Sequence, residues 1–307
     1  MDQIAFVFAG QGAQYPGMGR ELYEASPAAK AVMDQAEAAR PGTRAQCFEG
    51  SKEELALTAN TQPCLFTVDL MCAAALGEQG VAPALCAGFS LGEVAAAAFS
   101  GMLDFPTAFA FVQERARRMH ACALAFPGFM AAVLRLAPEA VRELCGGLEG
   151  VYPVNFNAPG QIVVSGALSQ KDAFFQAVAE QKGRAMPLAV SGAFHSPFMK
   201  EAADQLGLWL GQAGVKAPSL PVYANSTALP YEGDCAALLA RQVDHPVLWE
   251  DTIRRMAQGG ADCFVELGPG TVLSGLIRKI LPEARVSHVE DPASLGETLA
   301  MLKGGIA

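Results

Sequence analysis

No long uncharged apolar run occurs in this sequence. The longest stretch without Asp, Glu, Lys or Arg covers 150–170 and holds two prolines, two asparagines and two glutamines. It reads as strands joined by a turn, not as a membrane span. A basic surplus is missing as well. Lys and Arg number 22 against 31 Asp and Glu, a net charge of −9, which argues against general nucleic-acid binding. None of the eight cysteines forms a C-x-x-C pair, and most sit among apolar residues, as reduced core thiols do. Histidine is scarce, with four in the chain and no H-x-x-x-H or mixed Cys/His cluster, so no metal centre is expected. The opening MDQIAFVF has an acid and no basic region before its short apolar run. It is expected to be a first buried strand rather than a signal peptide, in a cytoplasmic protein.

What is present is a large apolar core: 51% of the 307 residues are hydrophobic and only 17% charged. Apolar runs suited to buried strands alternate with helical patterns, the α/β signature. A strand is expected at 4–9, helices at 21–39 and 61–79, a short strand at 84–88 and an alanine-rich helix at 91–99. The texture changes at 128–190, where the order βαββαβ is that of a ferredoxin-like unit. Within it, Ser169 and Asp172 suggest a capping box, Gly183 a helix stop, and 184–190 a last strand. Ser196-Pro197 then reads as the cap and first turn of a helix. The expected organisation is a larger α/β core in two parts, 1–127 and 193–307, with a small domain inserted at 128–192.

The stretch AGFSLGE at 87–93 places a hydroxyl between two glycines on the pattern G-x-S-x-G. That is the spacing of a nucleophile elbow, where a strand turns sharply into a helix and presents a serine at the helix N-terminus. A structural Gly/Ser turn would use the same residue types. A nucleophilic Ser90 needs a base, and His195 in SGAFHSPFM lies between an expected strand end and a helix start. The acids between them, Asp104 and Asp172 included, carry no motif that marks a third member. The glycine-dense loop FAGQGAQYPGMG at 8–19 fails G-x-G-x-x-G, because Tyr15 stands where the third glycine is required, and lacks the Gly-Lys-Ser/Thr of a P-loop. Its Gln11 and Gln14 can instead bring amide donors to an acyl oxygen.

These pieces occur together in one family. GQGAQ at 10–14, TQPC at 61–64, GFSLGE at 88–93, Arg115 four residues before Met119, NAPGQ at 157–161, GAFHS at 192–196, Arg241-Gln242 and ELGPG at 266–270 stand in family order along nearly the whole chain. The chain resembles the malonyl-CoA:acyl carrier protein transacylases of fatty acid and polyketide synthesis. The resemblance implies an α/β-hydrolase-like core with a parallel sheet and an inserted ferredoxin-like domain. It implies a Ser90–His195 dyad whose histidine is oriented by a backbone carbonyl near Gln242, and an oxyanion site from Gln11 and the N–H of Leu91. Arg115 corresponds to the clamp for the malonyl carboxylate, chosen over Arg117 and Arg118 only by the family register. Gln62, Phe89, Asn157, Phe194 and Gln242 fall in the implied substrate pocket, and the bulk of Phe194 favours malonyl over an α-methyl branch.

The implied reaction is ping-pong transfer from malonyl-CoA to the phosphopantetheine thiol of holo acyl carrier protein, with no metal or organic cofactor and a monomeric enzyme. Phe89 departs from the family, which usually has histidine before the nucleophile. An acidic carrier needs a local basic patch on this acidic chain, for which Lys182 with Arg184 and Arg278 with Lys279 are the pairs available. A serine esterase or thioesterase would share the elbow and the base, and a carrier-binding scaffold would need neither.

Overall fold

The computed structural model describes residues 3–190 and 192–304. Strand β1 (Gln3–Phe8) opens the chain, followed by helices α1 (Arg20–Ala25), α2 (Pro27–Ala39), α3 (Thr43–Glu49), α4 (Lys52–Ala56) and α5 (Thr58–Glu78). Then come β2 (Leu85–Gly88), α6 (Leu91–Phe99) and α7 (Phe105–Ala125). The small unit follows as β3 (Gly128–Leu134), α8 (Pro138–Gly146), β4 (Val151–Ala158), β5 (Gln161–Ala167), α9 (Lys171–Glu180) and β6 (Arg184–Pro187). The chain returns through α10 (Lys200–Leu210), β7 (Val222–Tyr223), α11 (Cys235–Arg241), α12 (Trp249–Gln258), β8 (Ala261–Leu267), α13 (Val272–Ile280), β9 (Arg285–Val289) and α14 (Pro292–Gly304).

Five parallel strands form the main sheet in the order β7-β2-β1-β8-β9. Strand β1 shows why it is central. Its alternate side chains point to opposite faces, and both faces are covered. Phe6 and Phe8 enter one core with Phe66 and Val94, while Ala5 and Val7 enter another with Trp249 and Ile277. Each fully buried phenylalanine contributes about 1.5–3 kcal/mol of transfer free energy. The loops after β1, β2, β7 and β8 therefore gather at the carboxyl edge of a sandwiched sheet, where α/β proteins bind their ligands.

The second sheet is antiparallel, ordered β4-β5-β3-β6. Val141 of α8 and Phe174 and Val178 of α9 seal one face of it. This is a ferredoxin-like unit set between the two parts of an α/β-hydrolase-like core. Among the described residues, no helix is long and apolar enough to cross a membrane.

Several local expectations are corrected. The helix expected at 21–39 is two helices, because Ser26 is extended before Pro27 and its hydroxyl accepts from the Ala29 N–H at 3.1 Å. The helix expected from 61 starts at Thr58 and takes Pro63 inside it. No capping box forms at Ser169: a 3-10 turn over Leu168–Gln170 already engages the Lys171 N–H, and Gln170 becomes the cap. Lys182, not Gly183, takes the left-handed conformation that ends this region, with φ 60°. Strand β6 stops at Pro187, which has no N–H for the ladder. Ser196 is extended, but its hydroxyl turns back to donate to the Ala193 carbonyl, and a 3-10 turn over Pro197–Met199 precedes α10.

Candidate active site

Ser90 sits between the end of β2 and the start of α6 with φ 51° and ψ −100°. A non-glycine residue holds such a conformation only where its surroundings enforce it. The flanking glycines permit the turn. A Cβ on Gly88 would stand 1.9 Å from the Gly92 carbonyl, and one on Gly92 would stand 2.2 Å from the Phe8 carbonyl oxygen. Asn225, just past β7, secures it from the neighbouring strand. Its Oδ1 accepts from the Ser90 N–H at 2.8 Å and its Nδ2 donates to the Gly88 carbonyl at 2.7 Å.

His195 meets this serine with Nε2 at 2.7 Å from Ser90 Oγ. Its Nδ1 faces the carbonyl oxygens of Gln242 at 3.0 Å and His245 at 3.3 Å. Carbonyls only accept, so the ring proton belongs on Nδ1 and the lone pair of Nε2 is aimed at the hydroxyl. Burial, reinforced by the nearby Arg115 cation, pulls the imidazole down from its ordinary value to about 4. At neutral pH it is a free base. No carboxylate is needed for its orientation, because two backbone dipoles supply it.

Arg115 projects from α7 and is only 2% exposed. Its Nη1 donates to Gln62 Oε1 at 2.8 Å, and its Nη2 donates to Gln242 Oε1 at 2.8 Å and to Ser90 Oγ at 3.2 Å. Gln242 closes the circuit by donating its amide N–H to the Ser90 carbonyl. Arg117 and Arg118 instead pair with Glu114 at 2.6 Å on the outer face of the helix. Burial lowers the guanidinium to about 10, and the electrostatic influence of Glu93 opposes that fall. Glu93 is itself buried, accepts from the Tyr231 hydroxyl, and is raised by its burial to about 7. The result is a buried cation bonded to neutral groups, a strong attractor for an anion brought in by a ligand.

Five of the expected residues, Ser90, His195, Arg115, Gln62 and Gln242, thus share one hydrogen-bonded network. Gln11, Phe89 and Asn157 line an adjoining cavity of about 230 Å³ whose far wall includes Ala132 and Val163 of the small sheet. The Oδ1 atoms of Asn155 and Asn157 are buried there without a hydrogen-bond partner. Phe89 and Trp249 meet in a T-shaped ring contact, centroids 5.4 Å apart. Leu91 is the first residue of α6, so its N–H has no acceptor within the helix. Phe194 is buried next to His195, and a Cβ on Gly192 would stand 2.7 Å from its ring. Two residues escaped the sequence reading. Asn225 lies two residues past β7, and position at a strand's carboxyl end was the available signal; the carbonyl of His245 had none.

A family model described as an acyl transferase domain matches residues 5–299. The chain belongs to this family. It is 38% identical to the malonyl CoA-acyl carrier protein transacylase of Bacillus subtilis, over 99% of this chain and 98% of that protein. Identity to the protein of the same name from Escherichia coli K12 is 36%, over 98% and 100% of the two chains. Among solved structures, the malonyl CoA-acyl carrier protein transacylase of Clostridium perfringens superposes with a TM-score of 0.95 at 36% identity, covering 98% of both chains. A malonyl-transacylase in complex with a type II polyketide acyl carrier protein superposes with a TM-score of 0.94 at 33% identity, over 97% of this chain and 99% of that one. This acyltransferase therefore shares its whole architecture, parallel core and inserted small unit alike, with those enzymes.

Proposed function

We propose that this acyltransferase carries a malonyl group from malonyl-CoA to the phosphopantetheine thiol of an acyl carrier protein, through a malonyl ester on Ser90. The observation that carries the substrate assignment is the buried Arg115 guanidinium 3.2 Å from Ser90 Oγ. An acyl group whose thioester carbon meets Ser90 while its carboxylate meets Arg115 has room for little more than a single methylene between the two. Malonyl has that length. A guanidinium also offers two parallel donors to a carboxylate, which a lysine does not. Phe194 would crowd a methyl branch on that methylene.

The steps follow from the geometry. His195 Nε2 takes the Ser90 proton as Oγ attacks the thioester carbonyl, and negative charge develops on the acyl oxygen. The Leu91 N–H and the Gln11 amide stabilise that oxygen. Collapse expels the CoA sulfur, which leaves with the proton from His195. The carrier thiol then gives its proton to His195 and attacks the ester, and Ser90 recovers its hydrogen as the product departs. Atoms and charge balance without any added oxidant or reductant, and no metal or organic cofactor is invoked in these steps.

The carrier arm is proposed to run past Phe89 and Asn157 through the cavity between the core and the small unit, for which limits of 128–192 are proposed. Lys279 Nζ lies 3.3 Å from Gln161 Oε1, and Gln161 lines this cavity. That supports Arg278 and Lys279, ahead of Lys182 and Arg184, as the patch that meets an acidic carrier. Transfer and hydrolysis share the acyl-serine and differ in what discharges it. The test is the lifetime of the malonyl-enzyme in buffer and after addition of holo carrier. Persistence in buffer with rapid discharge by carrier supports transfer; rapid loss in buffer alone supports a hydrolase.

A further inference from the structure

The side chain of His245 takes part in none of the steps above, yet it holds the turn that orients the base. Helix α11 ends at Arg241, Gln242–Asp244 forms a 3-10 turn, and His245 follows in extended conformation. The carbonyls of Gln242 and His245, at the two ends of this turn, are the two acceptors for His195 Nδ1. The imidazole of His245 bridges the same segment from outside. Its Nδ1 lies 2.9 Å from the Arg241 carbonyl and 2.5 Å from Asp244 Oδ1, and its Nε2 lies 2.8 Å from Arg241 Nη2. A guanidinium only donates, so Nε2 is the acceptor and Nδ1 carries the proton. One ring thus ties the carbonyl before the turn, the carboxylate within it and the side chain of the helix end.

We propose that His245 is a positioning residue for the acyl transfer: its Nδ1–H clamps the 241–245 turn so that the Gln242 and His245 carbonyls stay on His195 Nδ1. The inference rests on His195 being the base of the proposed reaction. Two physical consequences separate clamping from mere packing. The carbonyl bonds favour the protonated ring of His195, so loosening them lowers its proton affinity. They also fix the direction of Nε2 toward Ser90, so loosening them slows acylation even at saturating malonyl-CoA. The side chain is about one-third exposed, so removing it leaves no large cavity.

The test measures single-turnover malonylation of the full-length enzyme from about pH 3 to 8 for the parent, His245→Ala, His245→Asn and Asp244→Ala. Asparagine places an N–H one bond beyond Cγ, near the position of Nδ1, but has no counterpart of Nε2. His245→Ala is expected to acylate roughly tenfold more slowly at saturating malonyl-CoA, with the acid limb moved to lower pH. His245→Asn is expected to recover at least half of the lost rate, and Asp244→Ala to reproduce part of the loss. An unchanged rate and profile in His245→Ala overturns the proposal. So does a slowed His245→Ala whose acid limb stays in place, or an Asn variant as slow as the Ala variant. If His245→Ala does not fold, an Asp244→Ala variant with the parent's rate and profile overturns it equally. A parent enzyme that forms no malonyl-serine overturns the functional reading instead, which keeps the two failures apart.

Discussion

Arg115 Nη2 and Ser90 Oγ lie 3.2 Å apart, a buried cation in hydrogen-bond contact with the proposed nucleophile. In the proposed reaction that pairing couples the choice of acyl group to the bond-forming atom. Replacing Arg115 by alanine removes the proposed partner of the malonyl carboxylate, and loss of one member of a buried charge pair costs about 3–5 kcal/mol. The kcat/KM for malonyl-CoA is expected to fall by roughly a hundredfold or more. Acetyl-CoA, which has no carboxylate, is expected to change far less. Equal losses with both donors would remove Arg115 from the acyl site.

The same cation acts on His195. Burial and the Arg115 charge both disfavour the imidazolium, which brings the ring down to about 4. The base form is therefore present at all pH values above that, and acylation is expected to keep its rate well below the ordinary imidazole range near 6.5. It is lost only as the pH falls toward 4. Because the Arg115 cation lowers this value, Arg115→Gln is expected to move the acid limb upward. Burst kinetics with acetyl-CoA as donor measure both, and an acid limb near 6.5 in the parent would contradict the burial argument.

Asn225 bridges the two backbone segments of the elbow at 2.8 and 2.7 Å. Asn225→Ala leaves a buried N–H and a buried carbonyl without partners, at about 1–3 kcal/mol each. Asn225→Asp keeps the acceptor for Ser90 but sets a carboxylate oxygen against the Gly88 carbonyl. Both variants are expected to lose thermal stability and to form malonyl-serine more slowly, with the slowing visible at saturating substrate. A melting temperature and an acylation rate equal to the parent's would show that Gly88 and Gly92 alone hold the turn.

On the carrier side, Arg278→Glu with Lys279→Glu is expected to raise the carrier's apparent KM several-fold and to weaken its dependence on salt, since such charges act mainly on encounter. Acylation by malonyl-CoA measured without carrier serves as the control for the acyl site. Charge reversal at Lys182 and Arg184, farther from the cavity mouth in this reading, is expected to have the smaller effect. An unchanged KM in the Arg278/Lys279 variant would move the docking surface elsewhere.

The elbow at Ser90 was legible in the sequence because its constraint is local: glycines at 88 and 92 are required by contacts with each other and with Phe8, and spacing alone records that. The alternation of strands with helices was legible for the same reason, since apolar periodicity reports which face is buried. Asn225 was not, because its partner lies 135 residues away and an asparagine after a strand has many ordinary uses. Of the carbonyls behind His195, the one at Gln242 came only from the family resemblance and the one at His245 not at all, as backbone groups have no residue signature. Arg115 stood among three arginines in one helix, and its burial, absent from the one-letter code, is what separates it from Arg117 and Arg118. The failed cap at Ser169 has a local cause: a 3-10 turn over Leu168–Gln170 shifted the helix start by one residue.

The most direct measurement is intact mass of the enzyme seconds after mixing with malonyl-CoA, with Ser90→Ala beside it. The expected result is a single malonyl adduct on the parent, none on Ser90→Ala, and return to the free mass on addition of holo acyl carrier protein. An adduct that survives in Ser90→Ala, or steady release of CoA from the parent with no adduct and no need of a carrier, would contradict transfer through Ser90.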